Sequence, residues 1–404
     1  MRTRWKPPIL YILLFSVSFI IYWNTGEGHP SYYNYYVRLS EAFLNGRLYL
    51  LTNPPWLNEL IPNPSGPGFY VAYPPLPAII MMPLVAMFGT SLNQTIICVA
   101  FGSATVVLSY IVAQDLQGEK FQGFDQKPNR TTSLWFAFMF GFGTIFWWLA
   151  STGSVWLIAQ VISVFFLFLA IHEVLNKSRP LLMGFLLGAS YWCRLPTILG
   201  ILFFAGLIIY RQPENGVTQK IRSSIQSMLR LSVGVVFVIV CNMLYNYVRF
   251  GSPLDVGYWM IPGILDEPWF SHGLFSLQYI PENLKAFFMG LPKLTLQPPY
   301  LIAPLKGLAI WFTTPAFVFA LRSDYKNTTN IAAWISILAI SFVIFTKGLS
   351  GWGFGYRYAV DFYPFLYILT INGIGQKIKW HHKLTILVCA TVNLIGVLAF
   401  NKFT

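Results

Sequence analysis

The chain has 404 residues, of which 55% are hydrophobic and only 10% charged, against roughly 25% charged in a soluble domain. Runs of roughly 20 apolar residues, the length that crosses a bilayer as a helix, recur from end to end and exclude a soluble globular fold. The net charge of +13 does not argue for nucleic acid, because Lys and Arg gather in the cytoplasmic loops of membrane proteins.

The first run, 8–23, follows Arg2, Arg4 and Lys6 and ends at Tyr22-Trp23-Asn24 with no small-residue cleavage site. It reads as a retained anchor rather than a signal peptide. Further runs fall at 74–89, 92–114, 133–149, 153–172, 181–193, 196–210, 228–250, 304–322, 331–346, 358–375 and 384–400. The connections at 115–132, 173–180, 211–230, 322–330 and 376–383, with the N-terminus, hold 17 of the 27 basic residues. All of them share the cytoplasmic side if one early run does not cross. Run 74–89, interrupted by Pro74, Pro75, Pro77 and Pro83, is the one assigned as a re-entrant helix. Arg194-Leu195-Pro196 breaks 181–210 into a hairpin with Arg194 near its outer tip. The expected fold is all-α, one polytopic transmembrane bundle over 1–404 with about 11 spans. Its N-terminus is cytoplasmic and its C-terminus outside, in what reads as a bacterial plasma membrane.

Two large outer loops result, 24–91 (including 74–89) and 251–303. In the first, Tyr32, Tyr35, Leu39 and Ala42 recur at helical spacing opposite Asn34, Arg38, Glu41 and Asn45. This predicts a surface helix over Ser31–Asn45, capped by Ser31 and stopped by Gly46. Leu277–Leu291 in the second loop reads likewise, with Tyr279, Phe287 and Phe288 at the interface and Lys285 snorkelling.

Eight of the 14 acidic residues map to the outer side: Glu27, Glu41, Glu59, Asp255, Asp266, Glu267, Glu282 and Asp361. A carboxylate within reach of an acceptor hydroxyl serves as a general base. Glu27, between Gly26 and Gly28 just past the first span, and Glu41 are the candidates. Glu41 lies three residues after Arg38 on one helical face, which also fits a plain ion pair. Arg194, Arg249, Arg357 and, less directly, Lys347 reach one membrane level from different spans and suit a phosphate, which guanidinium binds through two parallel hydrogen bonds. Gly351-Trp352-Gly353-Phe354-Gly355 precedes Tyr356-Arg357-Tyr358 and Asp361. Alternating glycines let a backbone approach a ligand closely, so Trp352, Tyr358 and Asp361, with His29 of the first loop, form the candidate substrate-binding set. Arg357 and Asp361, four apart, also fit an internal pair. No zinc-ligand spacing occurs, and the four cysteines sit singly inside apolar runs; no cofactor is assigned, and a divalent metal is left open.

The "EAFLNG" stretch of the first loop, the "YPPLPA" segment after it, Phe250–Tyr258 and Gly355–Tyr358 resemble the membrane glycosyltransferases of the GT-C superfamily. The protein O-mannosyltransferase and aminoarabinose-transferase type is nearest in pattern. The resemblance covers most of the chain as architecture and these short stretches as motif. It implies a polyprenyl-phosphate-linked sugar donor, a lipid, glycan or protein acceptor reached from the outer face, inverting transfer, and a catalytic acid in the first outer loop. The chain departs from that pattern at one point: the familiar Asp-Glu pair would align with Ser31 and Tyr32. The competing readings are a transporter or flippase of a lipid-linked or anionic solute and a non-catalytic envelope-assembly scaffold.

Overall fold

The computed structural model describes residues 8–118, 128–210, 217–298, 301–349 and 353–402. In chain order these form α1 (Pro8–Thr25), α2 (Tyr35–Leu44), β1 (Leu60–Pro62), β2 (Phe69–Val71), α3 (Leu76–Phe88) and α4 (Gln94–Gly118). Next come α5 (Arg130–Phe142), α6 (Phe146–Ser151), α7 (Val155–Asn176), α8 (Pro180–Tyr191), a 3₁₀ segment Leu195–Gly200, α9 (Ile201–Tyr210) and α10 (Val217–Phe250). The last third holds α11 (Ile280–Met289), β3 (Lys293–Leu294), β4 (Leu301–Ile302), α12 (Ile310–Thr313) and a 3₁₀ segment Pro315–Arg322. It closes with α13 (Thr328–Phe345), a 3₁₀ segment Arg357–Phe362, α14 (Tyr363–Ile374) and α15 (Trp380–Lys402). The strands make two antiparallel pairs, Ile61 opposite Tyr70 in one and Lys293 opposite Ile302 in the other.

The architecture is therefore a helical bundle. Among the described residues five helices, α4, α7, α10, α13 and α15, are long and apolar enough to cross a membrane. Other apolar runs are cut by identifiable residues. Gly143 and Thr144 separate α5 from α6, and the Thr144 hydroxyl accepts from the Phe146 amide at 3.2 Å. Pro196 opens the 3₁₀ turn that leads into α9, as a residue lacking an amide proton permits only at a helix start. Conversely α10 begins well before position 228, because Gln219, Lys220, Arg222 and Ser223 lower hydropathy without lowering helix propensity much.

The helices sort their ends into two groups. At one end Gln117 of α4 donates to Ser133 of α5 (3.0 Å), Asp115 pairs with His172 of α7 (2.7 Å), and Asn372 of α14 bonds Asn330 of α13. At the other, Trp147 donates to Thr25 of α1 (2.9 Å), Asn401 of α15 to the Thr25 carbonyl (3.1 Å), and Gln94 of α4 to the Gly153 carbonyl (2.6 Å). Between them lies an aromatic core in which Phe140 meets Phe168 and Tyr367 edge to face at 4.8 and 5.4 Å. Close helix crossings use glycine: a Cβ at Gly184 would lie 2.2 Å from the Leu231 carbonyl, so α8 and α10 touch backbone to backbone.

The region between α1 and α3 differs from its expected form. The helix starts at Tyr35, not Ser31, because the Ser31 hydroxyl accepts from the Tyr33 amide at 3.3 Å and closes a turn of its own. Six of the ten α2 residues are buried, and Ser40 donates to the Ala78 carbonyl of α3 at 2.6 Å. α2 is thus a buried layer docked on the proline-rich helix, while Tyr32, placed on its apolar face by periodicity, is 67% exposed. In the second region the expected helix resolves into a 3₁₀ turn Leu277–Tyr279 and α11, with Phe287 buried inward and Phe288 exposed.

Candidate functional site

At the end of the bundle where α2, β1 and β2 lie, a cavity of about 910 Å³ opens. Loop one contributes Tyr33, Glu59 and Tyr73, and the start of α7 contributes Trp156. The break after α8 supplies Arg194 and Pro196, α10 supplies Asn242 and Met243, and loop two supplies Asp255, Tyr258, Trp259 and Glu267. Lys347, Arg357 and Tyr358 complete it from the α13–α14 connection.

Glu59 is the carboxylate this cavity is built around. One oxygen accepts from Trp156 Nε1 at 3.0 Å and the other from the Tyr258 hydroxyl at 3.4 Å. Its backbone amide donates to the Tyr35 hydroxyl at 3.1 Å, so buried α2 fixes the loop that carries it. Burial pushes its pKa above the ordinary carboxylate value, and the Trp156 hydrogen bond, Lys347, Arg357 and Tyr258 partly offset this. Asp255, on the loop-two wall, is also raised by burial, with Arg249, the Gly257 amide and Lys347 opposing.

The cations divide into two kinds. Arg194 is committed to Asp361: its Nε and a terminal nitrogen reach the two carboxylate oxygens at 3.1 and 2.7 Å, and Asp361 is fully buried. Arg249 is likewise spent on structure, donating to the Val71 carbonyl (2.7 Å) and Asn246 (2.9 Å) and stacking on Tyr245 at 3.7 Å. Arg249 does not line the cavity, and neither does Asp361. By contrast Arg357, only 7% exposed, makes no ion pair among the described residues, and its Nε has no hydrogen-bond partner. Its position is set from behind, where Gln160 of α7 donates to its carbonyl at 2.9 Å. Lys347 donates to the Tyr358 hydroxyl at 3.2 Å and sits 4.5 Å from the Tyr258 ring centre, with no carboxylate within ion-pair distance among the described residues. Two cations without a carboxylate partner among the described residues, set among aromatic rings, give the cavity a lining whose charge suits an anion.

The sequence-derived candidates scatter. Arg194, Arg357 and Tyr358 reach the cavity. Glu41 does not: it pairs with Arg47 at 3.2 Å, while Arg38 turns to Asn34 at 3.0 Å, so the expected Arg38–Glu41 pair is replaced. The anticipated Arg357–Asp361 pair is replaced by Arg194–Asp361, because Asp361 points at the α8–α9 break. Glu27 lies outside the cavity, half-buried; burial raises its pKa while His29 and Lys402 oppose. His29 is exposed, its Nδ1 3.0 Å from the Pro30 carbonyl. Trp352 lies outside the described residues. The sequence placed Glu59 among the outer carboxylates without singling it out, gave Tyr258 no role although it closes the Phe250–Tyr258 stretch, and offered no sign of Trp156 or Gln160. Only the proline-flanked loop marked Glu59, and nothing local marked Trp156 and Gln160. Among the described residues no three His, Cys, Asp or Glu side chains gather as metal ligands would.

Compared with models of protein families, with curated proteins and with solved structures, the chain matches none.

Proposed function

We propose that this protein is an integral-membrane glycosyltransferase that moves a sugar from a polyprenyl-phosphate-linked donor to an acceptor hydroxyl at the outer face. The observation that carries the reading is the pairing, in one cavity, of a partly buried carboxylate with two cations that make no ion pair among the described residues, Glu59 with Arg357 and Lys347. Ionised Glu59 takes the acceptor proton; the acceptor oxygen attacks the anomeric carbon as the bond to the donor phosphate breaks, with inversion. Arg357 and Lys347 take up the charge of the departing polyprenyl phosphate as preorganised donors. Glu59 thus replaces Glu27 and Glu41 as the proposed base, and Arg194 becomes a support for the site rather than a phosphate ligand.

The proposed topology keeps eleven crossings. These are α1, α4, α5 with α6, α7, α8, Leu195–Tyr210, α10, 310–322, α13, 357–374 and α15, with α3 re-entrant and the cavity on the side opposite the basic loops. The likeness to GT-C transferases supports this reading through motif alone.

The test is transfer by purified protein from radiolabelled polyprenyl-phosphate sugars. Glu59→Gln and Arg357→Ala should abolish transfer, whereas Glu27→Gln and Glu41→Gln should retain it. Undiminished transfer by Glu59→Gln would sink the assignment, and donor binding without turnover in the wild type would favour a transporter.

A further inference from the structure

α11 and the hairpin after it carry an apolar surface that the cavity does not use. On its inner side α11 is anchored: Asn283 donates to the Phe345 and Lys347 carbonyls at 2.7 and 2.9 Å, and Phe287 is buried. Lys306, in the turn after β4, ties the base, bonding Asn283 at 2.9 Å and Glu282 at 3.1 Å. The Gly290 carbonyl accepts from the Ala309 amide at 2.7 Å, and β3 pairs with β4. The outer side is therefore held in place. It presents Phe288 (45% exposed), Met289 (68%), Leu291 (66%), Leu294 (80%) and Leu296 (100%).

A contiguous apolar patch of this kind signals a protein or membrane contact. Two observations select the membrane. Phe288 stacks on Trp311 at 6.1 Å and 22°, and from Trp311 the exposed surface runs on through Val318 and Leu321 along the apolar 310–322 segment. The patch is thus continuous with the outward face of the bundle. Exposed Lys285 and Lys293 flank it and make no ion pair among the described residues, the sign and placement that suit anionic lipid headgroups.

We propose that residues 284–296 form a wedge seated in the bilayer leaflet at the cavity end of the bundle, with Leu294 and Leu296 in the acyl region and Lys285 and Lys293 among the headgroups. Leu305, at the foot of the same hairpin, lines the cavity, so the wedge borders a path from the leaflet into the site. That last consequence rests on a lipid-linked donor; the seating itself does not.

The test places a single cysteine at Leu296, and separately at Leu294, in a chain whose four native cysteines are replaced, labelled with an environment-sensitive fluorophore in nanodiscs containing anionic lipid. Ser65→Cys, in the exposed turn of the β1–β2 hairpin, is the aqueous reference. The wedge predicts blue-shifted emission at 294 and 296, quenching by lipids spin-labelled high on the acyl chain, and loss of iodide quenching relative to Ser65→Cys. Iodide quenching equal to the reference without lipid quenching overturns it. So does shielding from both quenchers, which would mean a protein cover. Transfer activity is not part of the readout, so failure here leaves the catalytic reading intact.

Discussion

The Arg194–Asp361 pair gives the sharpest test of how the site is held. Asp361 is fully buried and the Arg194 side chain 18% exposed, and their two contacts of 3.1 and 2.7 Å form a two-point clamp. Among the described residues only Gln160, at 3.5 Å, makes another hydrogen bond to the same carboxylate, so Arg194→Met strands a buried charge. Breaking such a pair from one side costs about 3–5 kcal/mol. Asp361→Asn keeps an acceptor for Arg194, whose guanidinium still stacks over Tyr358 at 4.7 Å, and should cost about 1–3 kcal/mol. Replacing both, as Arg194→Met with Asp361→Leu, removes the uncompensated charge and should return stability to near wild type. The assay is equilibrium unfolding of the four proteins in mixed micelles, arranged as a double-mutant cycle, with donor-lipid binding measured alongside. The double variant should bind donor while Arg357→Ala does not, which separates a support from a ligand. The reasoning is refuted if Arg194→Met costs under about 1 kcal/mol, the worth of an exposed pair, or if the double variant loses the sum of the single losses.

Three further outcomes follow from named contacts. Because burial raises the Glu59 pKa, transfer should rise with pH along an acid limb lying above the roughly 4.3 of a free glutamate. Lys347→Gln and Trp156→Phe each remove a partner that holds that value down, and a pH–rate profile should show the limb moving higher. The folded state binds the Glu59 proton more tightly than the unfolded chain, so its contribution to stability is lost as pH rises through that window. Glu59→Gln should flatten this dependence while abolishing transfer. At the α8–α10 crossing, a Cβ at Gly234 would meet the Leu181 carbonyl at 2.6 Å and the Phe185 amide at 2.7 Å. Gly234→Ala should therefore destabilise by about 1–3 kcal/mol in the same unfolding assay, the usual cost of overpacking. For topology, exposed Lys177 and Lys377 lie in basic loops and exposed Ser65 beside the cavity, whereas Leu60 is buried in β1. In intact cells an impermeant thiol reagent should label Ser65→Cys and spare Lys177→Cys and Lys377→Cys; the reverse pattern would invert the orientation.

Hydropathy and proline placement marked the five long apolar helices, the break at Pro196 and the helix 76–88, because each depends on composition within one or two turns of chain, but they did not show that run 304–322 holds only the short α12 and a 3₁₀ segment. Local pattern also marked α2 but misplaced its start, since Ser31 had two uses for its hydroxyl and sequence does not say which wins. The two short hairpins escaped notice because two- and three-residue strands carry no periodicity.

The apolar runs and the clustering of Lys and Arg in the polar connections between them belong to the sequence itself, since solvent preference is additive along the chain. The choice of carboxylate and cation does not. Glu59 meets Trp156 across 97 residues and Tyr258 across 199, and Arg194 meets Asp361 across 167. Which acid lines the cavity, and which arginine already has a partner, are properties of contacts between distant segments. Spacing along the chain proposed Arg38 for Glu41 and Arg357 for Asp361. Packing gave Glu41 to Arg47 and Asp361 to Arg194, and left Arg357 facing the cavity. In a buried site an ion pair goes to whichever partner the fold can bring within hydrogen-bond reach, because an unpaired buried charge costs more than any local preference in the helix.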